Sequence, residues 1–150
     1  MQLTIANILL ATLACTGTTL AAPAPSAAKS MMVANEQWTI ESLKRVCNEA
    51  DTECTWTFRI NAGSGPTDCT FVVEGSPASQ GRNDNPTPCG DYTVTSGWSG
   101  QFGPDAGFTT LSVVNQATRQ IIWPAYTDQQ LEGGEVVTPD QSYTPSILSF

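Results

Sequence analysis

Histidine is absent from this chain of 150 residues, and cationic residues are scarce. The missing imidazole excludes Ser-His-Asp and Cys-His catalysis, and it excludes zinc sites that use histidine ligands. Six lysines and arginines stand against fourteen aspartates and glutamates, which gives a formal net charge of −8. Because nucleic acids and anionic membrane surfaces bind basic footprints, this charge argues against both as partners.

Long apolar runs are also missing, apart from one segment at the N-terminus. Residues 3–20 are apolar and small, and two alanines and a proline follow them. This order is typical of a secretory signal peptide, whereas the interspersed Thr, Asn and Gly residues disfavour a membrane span. We predict a signal peptide over residues 1–21, a flexible Ala/Pro/Ser-rich leader over residues 22–35, and a secreted, extracellular protein.

Loss of that signal peptide would turn an odd number of cysteines into an even set. Cys15 would leave with the signal, and the remaining four are Cys47, Cys54, Cys69 and Cys89. An even set in a small secreted protein predicts two disulfides, and the sequence does not choose among the three pairings that four cysteines allow. Nearest-neighbour pairing would cross-link two local loops. Since the chain has neither C-x-x-C nor histidine, we expect no metal at these cysteines.

Apolar and polar residues alternate in short runs along the rest of the chain. Residues 54–60 place Cys, Trp, Phe and Ile at every second position, and residues 69–73, 92–98 and 108–114 repeat the alternation. A period of two between Gly- and Pro-rich turns predicts strands with one buried face. We therefore expect a single all-β domain over residues 36–150, built as a small antiparallel β-barrel or sandwich.

The segment before Cys54 fits two kinds of structure. Trp38 and Ile40 fit a strand, but Ile40, Leu43 and Cys47 also fit one face of a helix. We favour a strand over residues 37–43, because the strand-rich pattern elsewhere has no βαβ rhythm.

The second half of the chain has three further features. We predict a long loop over residues 74–88, one helical turn over residues 128–131 and a short strand over residues 135–138. Residues 139–150 would form either a packed hook or a loose tail.

Catalytic candidates are few. Glu41 and Glu74 are the carboxylates best placed to line a cleft, but neither belongs to a glycosidase signature, and salt bridges or solvent contacts explain them more simply. No G-x-S-x-G elbow occurs in the sequence. We predict a protein without catalytic activity, metal or cofactor.

Two groups of residues are candidates for contact with a partner. Glu49, Asp51 and Glu53 crowd one loop, where they suit a solvated hairpin tip or a basic partner but lack the glycine and distal glutamate of an EF-hand. Trp98 and Phe102 lie in or beside a Gly-rich loop, where exposed aromatic area often contacts a protein or a sugar. The alternative for these aromatic residues is a small cluster packed beneath the loop.

The order of strands and cysteines supplies a family resemblance, which is carried by Trp38, Ile40, Phe58, Ile60, Cys69, Phe71, Cys89, Gly107, Phe108, Leu111 and Val113. In these residues the chain resembles the small secreted hypersensitive-response-inducing elicitors of filamentous fungi and, distantly, the Alternaria major-allergen β-barrel family. The resemblance implies a non-enzymatic protein of the host apoplast that a plant cell-surface or apoplastic protein perceives, with defence and local cell death as the result. It also implies binding of small phenolic ligands. Because this chain lacks the allergens' additional C-terminal cysteines, we expect a monomer.

Two other classes of function stay open from the sequence. The interior of a barrel would suit a carrier of phenolic or lipid-like ligands. A platform of Trp98 and Phe102 would suit a cell-wall carbohydrate-binding protein.

Overall fold

The computed structural model describes residues 36–149, and these form ten strands, most of which alternate between buried and more exposed residues. The predicted signal peptide and leader lie outside these residues. The strands are β1 Trp38–Cys47, β2 Glu53–Asn61, β3 Pro66–Glu74, β4 Arg82–Cys89, β5 Tyr92–Ser99, β6 Phe108–Asn115, β7 Gln120–Ile122, β8 Ala125–Thr127, β9 Gln141–Tyr143 and β10 Ser146–Ile147. Two 3₁₀ segments, Ala78–Gln80 and Asp128–Gly134, complete the regular structure of the described part. The predicted helical turn over residues 128–131 falls within the second of these segments.

The strands form two antiparallel sheets. The first sheet has the order β3-β2-β1-β9, and the second has the order β10-β7-β6-β5-β4, with β8 also paired to β6. The all-β prediction is confirmed, and of its two forms the described strands adopt the sandwich, because they do not close into a barrel.

The core lies between the two sheets, where the inward side chains of both meet. Trp38 from the first sheet contacts Tyr92 from the second edge to face, with ring centroids 5.2 Å apart. The buried cluster comprises Trp38, Ile40, Leu43, Trp56, Phe58, Ile60, Cys69, Phe71, Val73, Cys89, Tyr92, Val94, Leu111, Val113, Ile122, Tyr126, Leu131 and Val137. Packed side chains therefore fill the space between the sheets.

A β-bulge in β1 explains why its apolar residues also fit a helical face. Glu41 pairs with Arg59 and Lys44 pairs with Thr57, so β1 contains one extra residue between these pairs. Ser42 has a positive φ of 53°, and its backbone N–H donates to Asp140 Oδ1 at 2.8 Å. Because a bulge shifts the side-chain alternation by one position, Ile40 and Leu43 both point into the core. The predicted strand over residues 37–43 is confirmed.

Both pairs of sheet edges are joined. Disulfides link Cys47 to Cys54 and Cys69 to Cys89, and the second bond connects the edge strands β3 and β4 of different sheets. On the opposite side the C-terminal segment contributes β9 to the first sheet and β10 to the second. Residues 139–149 are thus held by strand pairing and are not a loose tail, but Ile147 is 68% exposed, so its side chain is not packed as a hook would require.

Two predictions about local structure were wrong. The long loop predicted over residues 74–88 contains the edge strand β4, which tolerates Pro86 and Pro88 because an edge strand needs fewer N–H donors. Residues 135–138 are not a strand. Their one buried side chain, Val137, packs into the core while its N–H donates to the Leu43 carbonyl at 2.8 Å.

Candidate functional site

Trp98 is held against the protein by two glycines and a carboxylate. Its indole Nε1–H donates to Asp128 Oδ2 at 2.9 Å. A Cβ at Gly100 would lie 2.5 Å from the ring, and a Cβ at Gly107 would lie 3.0 Å from it. The half-buried indole thus rests on bare backbone, which only glycine permits at such close approach. Its polar edge and part of its ring are already used within the molecule.

Asp128 links this tryptophan to the opposite sheet. It occupies the first turn of the segment Asp128–Gly134, whose cap Thr127 forms a capping box with Gln130. The Asp128 N–H donates to the Gly107 carbonyl at 2.9 Å. Its second carboxylate oxygen, Oδ1, lies 3.5 Å from Arg45 Nη1. One carboxylate therefore accepts from β5 and pairs with a cation on β1.

Arg45 continues the contacts across the end of the sandwich. Its side chain is only 7% exposed, and its guanidinium carbon lies 5.6 Å from the centroid of the Trp56 ring. Nη1 also donates to the Ser79 carbonyl at 2.9 Å. Ser79 in turn donates its N–H to Asp51 Oδ1 at 2.8 Å and its hydroxyl to Asp51 Oδ2. We call Asp51, Ser79, Arg45, Asp128 and Trp98 the polar chain.

The three acidic candidates therefore separate into different roles. Asp51 directs both carboxylate oxygens to Ser79, whereas Glu49 and Glu53 are exposed. The ligand atoms of Cys47, Asp51 and Cys54 lie within 4.8 Å of one another. Both sulfurs belong to the Cys47–Cys54 disulfide, however, so neither is a thiolate ligand for a metal. Contact of Glu49 and Glu53 with a partner stays a prediction.

The side chain of Phe102 is largely exposed, in contrast to that of Trp98. It is 71% exposed, and its ring stacks on Phe108 with centroids 5.7 Å apart and an angle of 22° between the ring planes. A surface groove of about 460 Å³ runs beside this pair. It is lined by Phe102, Asp105, Ala106, Phe108, Ala125, Tyr126, Thr127 and Gln129. We call it the Phe102 groove.

Two ionisable residues shape the electrostatics of the Phe102 groove. A tyrosine hydroxyl is already uncharged at neutral pH, and burial raises the pKa of Tyr126 further, so this wall of the groove carries no charge. Asp105 lies exposed at the rim. The groove thus combines aromatic walls with an acidic edge.

Trp123 is a surface aromatic residue that the sequence reasoning missed. It is 51% exposed and directly follows β7. Val113 pairs with Ile122, and Thr110 pairs with Ala125, so the same register sets Trp123 opposite Ser112 on the outer side of the second sheet. Residues 121–127 do not alternate between apolar and polar types, so the sequence gives no signal that Trp123 faces outward.

The carboxylates considered for catalysis have ordinary surroundings. Glu41 pairs with Arg59 at 3.0 Å and accepts from the Asn61 side-chain amide at 2.8 Å. Its predicted salt bridge is confirmed. Glu74 ends the edge strand β3, where it faces Glu53 across the strand pair.

The structure and the comparisons together define the class of protein. The described residues form a disulfide-linked β-sandwich, acidic overall, with aromatic side chains on its surface; none of their helices has the length and apolar character to cross a bilayer. A family model described as Effector TSP1 matches residues 39–149. Effector TSP1 of Hypocrea virens (strain Gv29-8 / FGSC 10586) is 50% identical over 149 residues, which cover 99% of this chain and 99% of that relative.

This chain therefore belongs to the Effector TSP1 family of fungal effectors. The effector class predicted from the sequence is confirmed at this level. Family membership and the two disulfides are also consistent with the predicted secretion.

Proposed function

We propose that this effector acts in the host apoplast, where a plant cell-surface or apoplastic protein recognises it and the plant responds with defence and hypersensitive cell death. The action is contact with the plant protein, without catalysis. The observation that carries the proposal is Phe102, a large apolar side chain that is 71% exposed and already ordered against Phe108.

The stacked pair suits a recognition surface for two reasons. Burying an exposed phenylalanine beneath a partner gains about 1.5–3 kcal/mol. Because the Phe102 ring already stacks on Phe108, less side-chain freedom is lost on binding than for an unsupported side chain.

Charge narrows the kind of plant protein that would fit. Asp105 lies on the rim of the Phe102 groove, and the chain carries a net charge of −8. Complementarity favours a partner that inserts an apolar side chain flanked by lysine or arginine, and it speeds the encounter at low ionic strength.

The other expectations find different degrees of support. The aromatic walls of the Phe102 groove offer a place for a phenolic ring at the surface. The filled core gives no support to a carrier that holds its ligand in the interior. Kinship with the Alternaria allergens and a monomeric state stay predictions.

Infiltration of leaves tests the proposal directly. Purified protein with both disulfides intact should induce defence markers and local necrosis at micromolar doses. The matched control is the same preparation after reduction and alkylation, which should lose the response if the folded surface is recognised. Leaves that stay indifferent to the folded, oxidised protein would contradict the proposal.

A further inference from the structure

The outer side of the second sheet is uncharged along three strands. Its outward positions on β5, β6 and β8 follow from the strand register and from the alternating buried residues between them. We call these positions the neutral face: Thr93, Thr95, Gly97, Ser99, Phe108, Thr110, Ser112, Val114, Ala125 and Thr127.

The outer side of the first sheet has the opposite character. Its outward positions on β1, β2 and β3 include six charged residues: Glu41, Lys44, Glu53, Arg59, Asp68 and Glu74. In a chain with a net charge of −8, the second sheet thus presents three neighbouring strands with hydroxyl groups, small residues and no ionised side chain. Charge begins only at the edge of this face, where Arg82 of β4 pairs in register with Gly97 and lies 3.9 Å from Asp84. The three strands themselves offer a charged partner no ionic contact, so they favour a partner that is itself uncharged.

An exposed indole supplies apolar area at this face. Trp123 is 51% exposed, and the register that joins Ile122 to Val113 and Ala125 to Thr110 places it opposite Ser112. Ser112 lies four positions after Phe108 along β6, which is about 14 Å in an extended strand. The neutral face therefore has an aromatic side chain near its middle and the Phe102 groove at one end.

The polar groups of the face match one kind of ligand. A threonine or serine hydroxyl both donates and accepts hydrogen bonds, as does each hydroxyl of a sugar. The negative face of an aromatic ring attracts weakly positive C–H groups, which line the flat side of many sugar rings. We propose that the neutral face binds an uncharged, hydroxyl-rich polysaccharide, with a sugar ring stacked on Trp123 and hydrogen bonds to strand hydroxyls such as Thr110 and Ser112.

Retention on insoluble polysaccharides tests this site. The protein should be retained by a neutral glucan or by chitin, and retention should persist in about 1 M salt, where the Debye length is only about 3 Å. Acidic polygalacturonate and basic chitosan are the charged comparisons. Binding to chitosan that disappears in the same salt would be simple attraction to the acidic protein.

Substitutions on the two sheets provide matched variants. Trp123→Ala should weaken retention about tenfold, the size expected from loss of one stacked ring, and Trp123→Phe should restore most of it. Thr110→Lys should also weaken retention, because it places a charge on the neutral face. Val72→Ala and Thr57→Lys make similar changes on the outer side of the first sheet and should leave retention unchanged. Circular dichroism and thermal unfolding confirm that each variant is folded.

Three results would overturn this inference. One is wild-type protein that passes through every neutral polysaccharide, and another is folded Trp123→Ala that is retained like the wild type. The third is sedimentation showing that Trp123→Ala abolishes self-association while no polysaccharide is retained, since a second copy would then be the occupant. None of these results affects the leaf response expected from the Phe102 groove, so the two proposals fail separately.

Discussion

Trp98 and Phe102 lie four residues apart in the chain, yet the Trp98 side chain is held by internal contacts and the Phe102 side chain is largely exposed. The Trp98 indole donates to Asp128 and rests on Gly100 and Gly107. Phe102 contacts Phe108 and leaves 71% of its surface exposed. The comparison shows that an aromatic residue in a Gly-rich loop is assigned its role by partners elsewhere in the fold. The indole N–H made Trp98 dependent on such a partner, whereas Phe102 has no polar atom to satisfy.

The same difference separates the residues that stabilise the fold from those that remain exposed at the surface. The polar chain joins β1, the segment Asp128–Gly134 and β5 at one end of the sandwich. Two predicted contact residues, Asp51 and Trp98, form its ends, so their side chains hold the structure together. The exposed aromatic residues, Phe102 and Trp123, are the ones that the two proposals assign to partners.

Asp128→Ala should have the largest effect on stability of the substitutions considered for the Trp98 and Phe102 regions. It removes the counter-ion of the buried Arg45 and the acceptor of the Trp98 N–H, which should lower the free energy of unfolding by about 3 kcal/mol. Asp105→Ala is the control and should change it by less than about 0.5 kcal/mol, since that carboxylate is exposed. Urea denaturation followed by tryptophan fluorescence measures both. Equal midpoints would show that the polar chain is not a framework.

Gly107→Ala tests the backbone floor beneath Trp98. The added Cβ would lie 2.3 Å from Asp128 Oδ2 and 3.0 Å from the indole, so the loop must shift, at about 1–3 kcal/mol. Gly97→Ala is the matched control, because a Cβ there meets nothing within 4 Å. We expect the control to be neutral or slightly stabilising. Thermal unfolding in which both variants behave alike would remove the argument that Gly107 is needed for close approach.

Much of the fold could be predicted from the sequence because its signal is local. The period-2 runs at residues 54–60 and 108–114 identify buried faces without reference to distant residues. The four cysteines after residue 21 indicated two disulfides, but the pairing depends on which edges meet in space. The β1 bulge and the edge strand β4 were harder to predict. A one-residue insertion interrupts the alternation in β1, and two prolines make β4 resemble a loop, although neighbouring strands hold both in place.

The site was less predictable for the same reason. Asp51 and Trp98 read as available because their partners, Ser79 and Asp128, lie about 30 residues away in sequence. The outward direction of Trp123 was not predicted, because it follows from pairing with β6. Residue type identified the candidate side chains, and tertiary contacts sorted them into framework and surface.

Substitution of the exposed Phe102 should give the smallest change in stability. Phe102→Ala should alter the free energy of unfolding by less than about 0.5 kcal/mol, because the ring is mostly exposed. Val72→Ala, which truncates a 46% exposed side chain on the first sheet, is the control for surface truncation in general.

Our proposal is that the exposed surface around Phe102 carries the activity, while the polar chain only stabilises the fold. Leaf infiltration with these two variants at matched dose tests it most directly. We predict that folded Phe102→Ala loses most of the defence response while Val72→Ala retains it. A folded Phe102→Ala protein that provokes the full wild-type response would contradict the account.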